Sequence, residues 1–239
     1  MSSLADLNWQ KIADSLSKNG IEVIIVGGQA VNFWGEFFSI QEERPHTSID
    51  VDVMLKGELN ELEAILDGEL IRANNPLDAL LATFEFEEEF KMDILIPDKM
   101  MGLSNVETNF LKDNAKNFGT FKVADPISML KAKLGNLFNL DQNDRQDAKH
   151  ARILLLAIRK MFERMIDETK SEKDSRVIIK EMKRFLKIAG KADRRNALKK
   201  IDRNLADAIP FSRFEEANCE KLQRFYESNL SPLLKAEDS

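Results

Sequence analysis

Residues 47–55 read TSIDVDVML, an apolar run that carries two carboxylates, Asp50 and Asp52, in its middle. Successive side chains of a β-strand point to opposite faces, so these two carboxylates share one face while Val51 and Val53 share the other. A charged group on a half-buried strand costs several kcal/mol, roughly, unless it is paired or bound to a metal ion. The run therefore predicts a strand with an apolar core face and a ligand-binding face.

Two further apolar runs carry related features. Residues 90–96 read FKMDILI, with Asp93 at the centre, and residues 21–31 read IEVIIVGGQAV, a predicted strand that reaches Gly27 and Gly28 before a predicted helix. Three carboxylates from neighbouring strands form an oxygen-rich cluster that suits Mg²⁺, and two such ions can clamp both oxygens of a phosphoryl displacement. Glycines at a helix N-terminus let phosphate approach free N–H groups, although a tight strand-to-helix turn also explains the pair.

This ordered set of residues resembles the nucleotidyltransferase-fold superfamily, which includes DNA polymerase beta and the aminoglycoside nucleotidyltransferases. The family pattern is a glycine-rich turn, then Asp-x-Asp or Asp-x-Glu on a strand, then a third acid on a later strand. The segments VGGQAV at residues 26–31 and TSIDVD at residues 47–52 are most similar to the AbiEii-like branch, many of whose members are toxins of toxin–antitoxin pairs. The resemblance extends over residues 20–160.

A second similarity to that branch lies downstream. The branch typically has a helix that carries a lysine, followed by a basic–Asp element, and Lys133 and the run RQD at residues 145–147 occupy those places. Two positions depart from the pattern. Gln29 stands where the family usually has Ser or Thr beside the glycine pair, and the usual Lys-Asp-x-x-Asp reads QDAKH at residues 146–150.

The resemblance implies a metal-dependent nucleotidyltransferase that moves a nucleoside monophosphate from an NTP to an RNA or protein acceptor. It implies Asp50, Asp52 and Asp93 as catalytic residues and as ligands of Mg²⁺ or Mn²⁺. The nucleotide site that we expect combines the glycine turn with cations of the loop and helices: Gly27, Gly28, Gln29, Arg44, Lys133 and Arg145. The toxin branch further implies an antitoxin protein as a partner.

Two alternatives stay open. One is a nucleotidyltransferase-fold protein that binds nucleotide or a partner without turnover, because fold alone never fixes activity. The other is an interaction protein whose helical half binds an antitoxin or nucleic acid, with the acids only stabilising a sheet edge.

Charge divides the chain near Asp125 and Pro126. Residues 1–125 carry 10 Lys and Arg against 23 Asp and Glu, whereas residues 126–239 carry 25 against 18. Proline suits the first turn of a helix, so the basic half is expected to begin there with a helix. We expect an α+β protein with a small mixed-sheet nucleotidyltransferase catalytic domain at 1–125 and a helical domain at 126–239.

The periodicity of apolar residues predicts the individual elements. The predicted strands are 21–26, 48–55, 80–87 and 90–96, with a short strand within 118–123. The predicted helices are 5–19, 29–38, 58–66, 127–140, 144–168, 172–189, 193–208 and 214–228.

Two groups of basic residues in the second half either line a binding site or form a solvated face. Arg145, Lys149 and Arg152 are spaced at i, i+4 and i+7, which predicts one cationic helix face, either lining the nucleotide site or solvated. Lys131, two residues from Lys133, is expected to face a different side of its helix. The basic stretch 184–203 is either a nucleic-acid surface or, as its interleaved acids favour, a solvated face.

Composition bounds the class of protein. The 239 residues are 43% hydrophobic and 32% charged, which is typical of a soluble globular protein. No apolar run approaches the roughly 20 residues of a membrane span, and the N-terminus lacks a secretory signal pattern. A single cysteine, Cys219, excludes an intrachain disulfide and suits a reducing compartment. We therefore expect a cytoplasmic protein without a membrane segment.

Overall fold

The computed structural model describes residues 9–41, 50–73, 79–86, 90–96, 99–100, 102–143 and 145–237. Arg44, which was expected to meet phosphate, lies outside the described residues. So does the start of the helix predicted from residue 5.

Seven strands of the described chain form one mixed sheet. They are β1 (Glu22–Ile25), β2 (Asp50–Lys56), β3 (Glu69–Arg72), β4 (Leu80–Glu85), β5 (Lys91–Leu95), β6 (Lys116–Asn117) and β7 (Lys122–Val123). Their order across the sheet is β3-β4-β5-β2-β1-β7-β6. Strand β2 is parallel to β5 and antiparallel to β1, and β1 is parallel to β7. The predicted hairpin of β4 and β5 is present as an antiparallel pair.

The first half also contains four α-helices within its described part. They are α1 (Trp9–Lys18), α2 (Gly27–Phe37), α3 (Leu62–Ile65) and α4 (Asn105–Asn114). The helix predicted at 58–66 is instead a 3₁₀ turn at Leu59–Glu61 followed by the single turn of α3. Neither α4 nor the mostly exposed edge strand β3 was predicted, because few of their residues face the core.

The second half is helical throughout its described part. Its α-helices are α5 (Pro126–Asn139), α6 (Asp147–Asp167), α7 (Glu172–Ala189), α8 (Ala192–Lys199), α9 (Phe211–Glu215), α10 (Glu220–Phe225) and α11 (Ser231–Glu237). Non-helical residues after α8 and after α9 divide the last two predicted helices into shorter pieces, which include a 3₁₀ turn at Ala206–Ala208 and a π-helical turn at Tyr226–Leu230.

Asp125 connects the sheet to the helices. Its Oδ1 accepts hydrogen bonds of 3.1 Å from the backbone N–H groups of Ile127 and Ser128, which caps the N-terminus of α5. Such a cap stabilises a helix by about 1 kcal/mol. The Arg184 guanidinium of α7 donates to the same oxygen at 2.9 Å. One carboxylate therefore fixes the start of α5 and the position of α7.

The two halves share buried apolar residues. Helix α2 packs against α5 and α6 as well as against β2, and the hydrophobic core extends from the sheet into the helices. The prediction of an α+β protein with a mixed sheet and a following helical part is confirmed. The division into domains at residue 125 stays a prediction.

Among the described residues, no helix is both long and apolar enough to cross a membrane.

Candidate active site

The three predicted acids lie on one face of two adjacent strands. In the parallel pairing of β2 with β5, Asp52 stands directly opposite Asp93. Asp50 precedes Asp52 by two residues on β2, so its side chain leaves the sheet on the same face. The intervening residues Val51 and Met92 are fully buried on the other face. The strand register, which the sequence could not supply, therefore brings the acids of two distant segments side by side.

Burial and several nearby groups act on the Asp52 carboxylate. Burial raises the pKa of Asp52 above its ordinary value. The Lys133 ammonium opposes this shift, the Asp93 carboxylate adds to it, the backbone N–H of Gly28 opposes it, and Asp50 adds a little more. A carboxylate that is desolvated beside two others is costly to keep ionised, which favours the binding of a cation nearby.

Burial and nearby charges also shift the pKa of Asp50, which is more exposed than Asp52. Burial raises its pKa, the Asp93 carboxylate raises it further, and the Lys91 ammonium lowers it. Lys91 is the register partner of Asp50 on β5, and its Nζ also lies 2.5 Å from Glu85 Oε1. Sequence reasoning did not single out Lys91, because its place opposite Asp50 depends on the strand register.

Asp93 is held in place by a residue of β4, which pairs with β5 on the side away from β2. Thr83 of β4 is the register partner of Asp93, and the Thr83 hydroxyl donates a hydrogen bond of 2.7 Å to Asp93 Oδ1. This contact fixes one oxygen of Asp93.

The glycine pair begins helix α2 rather than preceding it. Val26 is the N-cap and Gly27, with φ of +61°, is the first helical residue. A Cβ atom on Gly27 would lie only 1.7 Å from Asp52 Oδ2, so a larger residue would displace the carboxylate. The structure thus gives Gly27 a specific task, which is to leave room for Asp52 under the first turn of α2.

Gly28 and Gln29 face inward in this structure. A Cβ atom on Gly28 would lie 3.2 Å from Cε1 of His150 on α6, and the Gln29 side chain is only 2% exposed. His150, itself buried, was not among the expected site residues. Its spacing from Asp147, three residues on one helix, places both side chains on the same face of α6. This spacing is the sequence signal that points to His150.

Lys133 reaches the acids from the helical half. Its Nζ lies 3.1 Å from Asp147 Oδ1, and the other oxygen of Asp147 lies 2.6 Å from Arg145 Nε. Burial alone would raise the pKa of Asp147, but the Lys133 ammonium and the Arg145 guanidinium hold it below its ordinary value. One buried carboxylate therefore binds two of the cations expected in the nucleotide site.

The expected cationic helix face is a wrong prediction. Helix α6 begins at Asp147, so Arg145 precedes the helix and cannot continue a face with Lys149 and Arg152. Arg152 Nε instead points to the Ile201 carbonyl oxygen at 3.4 Å. The helix starts later than predicted because Arg145 turns back to pair with Asp147 in the first turn.

A preformed metal cage is absent from the described residues, where no three His, Cys, Asp or Glu side chains are close enough together to hold an ion. Asp52 accepts a hydrogen bond from the backbone N–H of Gly28, and Asp93 accepts one from the Thr83 hydroxyl. The donor set nevertheless fits a hard cation, because it consists of carboxylates on one face, and burial, with repulsion from the neighbouring carboxylates in addition, raises the pKa of Asp50 and Asp52.

Comparison with known proteins found a distant likeness to a solved structure. No known family profile matches the chain, and no curated protein matches it in sequence. Among solved structures, the chain is similar to a CCA-adding enzyme in complex with CTP, at 13% sequence identity and a TM-score of 0.31. The likeness covers 94% of this chain and 54% of the enzyme, so the chain spans about half the length of that protein. The function of the chain is therefore inferred from its own residues.

Proposed function

We propose that this chain is a metal-dependent nucleotidyltransferase that transfers a nucleoside monophosphate from an NTP to an RNA or protein acceptor. The observation that carries the proposal is the register of β2 and β5, which sets Asp52 opposite Asp93 with Asp50 on the same face. The chemistry needs oxygen ligands that converge from two strands and a cation that approaches from elsewhere. Lys133 supplies that cation beside Asp52.

In the proposed reaction, an acceptor hydroxyl oxygen forms a bond to the α-phosphorus of the NTP. The bond from this phosphorus to the bridging oxygen breaks, and pyrophosphate leaves with the electron pair. Asp50, Asp52 and Asp93 would hold Mg²⁺ or Mn²⁺, which when bound neutralises phosphate charge and lowers the pKa of the attacking hydroxyl. Asp93, with one oxygen held by Thr83, accepts the hydroxyl proton at its other oxygen.

The remaining residues bind and orient the triphosphate. Lys133 acts as a point charge toward the phosphates, and Asp147 holds its ammonium in place. Gly27 and Gly28 place the N-terminus of α2 next to Asp52, and a helix N-terminus favours an anion. Arg145 pairs with the same Asp147 carboxylate as Lys133 and helps to hold it in place. Gln29 is buried in the first turn of α2, and we include both residues in the proposed nucleotide site. Arg44 completes the set that we propose for the nucleotide.

The resemblance of the glycine turn and the Asp-x-Asp strand to the AbiEii-like branch supports a finer proposal. In it the chain acts as a toxin whose transfer modifies an RNA or a protein, and an antitoxin protein restrains it.

A second candidate function is binding of a nucleotide or partner without turnover. Two observations favour it. Gln29 stands where the family usually has a hydroxyl, and its side chain is 2% exposed. Asp52 and Asp93 are both engaged with protein donors rather than converging on one point.

Transfer is tested by incubating the purified chain with each NTP, labelled at the α-phosphate, together with Mg²⁺ or Mn²⁺ and either total RNA or a cell extract. Label on RNA or protein that requires the metal is the expected result. Asp52→Asn and Asp93→Asn should abolish the labelling, while Asp113→Asn, at an exposed position of α4, should retain it.

Thermal unfolding with each NTP and Mg²⁺ separates the two functions. Stabilisation by nucleotide without transfer of label supports binding alone. If no NTP stabilises the chain and no label is transferred, both nucleotidyl transfer and nucleotide binding are wrong, and only partner binding is left.

A further inference from the structure

A groove between α4 of the first half and α7 of the helical half lies across α5 from the candidate active site. Its volume is about 450 Å³, and it lies between α4 and α7, with Ser128 and Lys131 of α5 lining it from below. Lys131 forms an ion pair with Glu107 of α4, whereas Lys133 faces Asp147 of α6. The two lysines thus point to different sides of α5, and the groove is separate from the acids of the sheet.

The walls of the groove are apolar. Leu103, Val106 and Phe110 line it from the side of α4, and Ile188 lines it from α7. Val106 is 79% exposed and Phe110 is 36% exposed, although both are large apolar side chains on the same face of one helix. An exposed apolar patch that polar residues surround is typical of an interaction surface.

The rim of the groove is strongly basic. Four exposed lysines of α7 and the residues after it line one side: Lys180, Lys183, Lys187 and Lys191. None of the four forms an ion pair with another residue of the described chain. Lys180, Lys183 and Lys187 are spaced three or four residues apart, so they lie along one edge of α7, and Lys191 lies just beyond the end of that helix. From Lys180 to Lys191 the sequence spans about three helical turns.

The positive charge extends to the base of the groove. Burial, together with the nearby cations Lys191, Arg194, Arg184 and Lys187, lowers the pKa of Lys131 to about 8. Among the described residues that line the groove, Glu107 is the one acid, and it is already paired with Lys131. The charge that balances the lysines of the rim therefore has to come from a partner or from solvent ions.

We propose that this groove binds an acidic amphipathic helix of a partner protein. The apolar stripe of such a helix would cover Val106, Phe110 and Ile188, and its Asp and Glu residues would pair with the four lysines. A helix of about three turns matches the length of the basic edge, and burial of an apolar helix face in a groove is a common mode of peptide recognition. The proposal does not depend on nucleotidyl transfer.

A nucleic acid fits the same surface less well. The Arg184 guanidinium lies over the Phe110 ring at 4.4 Å from its centroid, so that ring face is not free to stack on a base. Arg184 is also bound to Asp125 and Glu181, which occupies its donors. Phosphates gain nothing from covering Leu103 and Val106, whereas an amphipathic helix buries both.

The test uses the full chain and a fluorescently labelled amphipathic peptide of about five turns with Leu on one face and Glu beside it, followed by fluorescence anisotropy. We expect saturable binding with a Kd on the order of micromolar, weakened by salt. A peptide of the same composition in scrambled order, and a peptide with Gln in place of Glu, should each bind at least about tenfold more weakly.

Matched variants locate the binding. Val106→Asp and the pair Lys183→Glu with Lys187→Glu should weaken binding at least about tenfold. The exposed Val177 and Lys173 of α7 do not line the groove, so Val177→Asp and Lys173→Glu should leave the Kd unchanged. All of these sites are exposed, and circular dichroism checks that each variant is folded.

Three results would overturn the proposal. They are no saturable binding of the acidic peptide, binding that the groove variants leave unchanged, and a single-stranded RNA oligonucleotide that binds more tightly than the peptide and loses its affinity in the same groove variants.

Discussion

The Lys133 ammonium lies 3.1 Å from the Asp147 carboxylate, and both side chains are nearly removed from solvent, at 11% and 2% exposure. Lys133 also opposes the raised pKa of Asp52 on the sheet. Because Asp147 belongs to α6 and Lys133 to α5, the ion pair fixes one cation of the helical half beside the acids of β2. Removal of Asp147 therefore tests both the fold and the site.

Asp147→Asn is expected to lower the free energy of unfolding by about 1–3 kcal/mol, because the largely buried Lys133 loses its charged partner. The apparent affinity for NTP should fall as well, since Lys133 is no longer held toward the site. Arg145→Gln is the control. Arg145 is 36% exposed, so its loss should cost at most about 1 kcal/mol. Urea unfolding measures both variants, and an equal loss in the two would contradict the positioning role of Asp147.

Asp52 should make the protein less stable as pH rises. Its pKa is raised in the folded state, by burial first and by Asp93 and Asp50 in addition, against the opposing effects of Lys133 and Gly28. The folded chain then holds the Asp52 proton more tightly than the unfolded chain does. This residue therefore lowers stability as pH rises from the unfolded pKa of about 3.9 through the folded pKa, and the loss is complete above it.

Asp52→Asn should consequently be more stable than the unsubstituted chain at neutral pH without metal, and the difference should shrink as pH falls through that window. Asp147 gives a control of opposite sign. Its pKa is lowered in the folded state, so its stabilising effect is present above the unfolded pKa and is lost as pH falls through the folded one. Urea unfolding at a series of pH values measures both. A stability difference for Asp52→Asn that does not vary with pH would exclude the raised pKa.

The strand positions of the three acids could be predicted from the sequence, because alternation of apolar residues around Asp50, Asp52 and Asp93 follows directly from strand geometry. The parallel pairing of β2 with β5 could not. It joins segments about forty residues apart in the sequence, and register between such segments is decided by tertiary packing. For the same reason Lys91 and Thr83, which flank the acids through register alone, gave no local signal.

Helix boundaries account for the other differences. Helix α4 was missed although Ser104 and Glu107 form a capping box at its start, because two of its three large apolar side chains, Val106 and Phe110, are exposed at the groove and only Leu111 is buried in the core. The start of α6 was placed too early, since apolar periodicity does not reveal that Arg145 folds back onto Asp147. The role of Asp147 likewise depends on a contact between two helices, which spacing along one helix does not contain.

Gly27→Ala should damage both stability and activity. At φ of +61° any L-residue is strained by roughly 1–2 kcal/mol, and the new Cβ would in addition fall 1.7 Å from Asp52 Oδ2. Gly20→Ala is a matched control, because Gly20 has φ of +75° but no atom within 4 Å of the position of a Cβ. The excess loss of Gly27→Ala over Gly20→Ala in urea unfolding therefore reports the contact with Asp52. Equal losses in the two variants would mean that the turn relaxes without moving the carboxylate.

Lys133 and Lys131 allow the binding of the triphosphate to be separated from the general charge of α5. Lys133→Ala is expected to raise the NTP concentration needed for half-maximal binding about ten- to a hundredfold, because a charge-assisted contact to phosphate contributes about 1.5–3 kcal/mol. Lys131→Ala removes the same charge two residues away, where the side chain pairs with Glu107 and faces the groove. It should leave NTP affinity nearly unchanged.

Titration of each variant with NTP and Mg²⁺, followed by thermal unfolding or calorimetry, gives the two affinities on one scale. If Lys131 proved the sensitive residue, the nucleotide would lie on the α4 side of α5, and the site built on Asp52 and Asp93 would be misplaced. If neither lysine mattered, the triphosphate would be held by Arg44 or Arg145. Lys131 contacts α4 and Lys133 contacts α6. The lysine whose substitution causes the larger loss of NTP affinity therefore shows which face of α5 the nucleotide contacts.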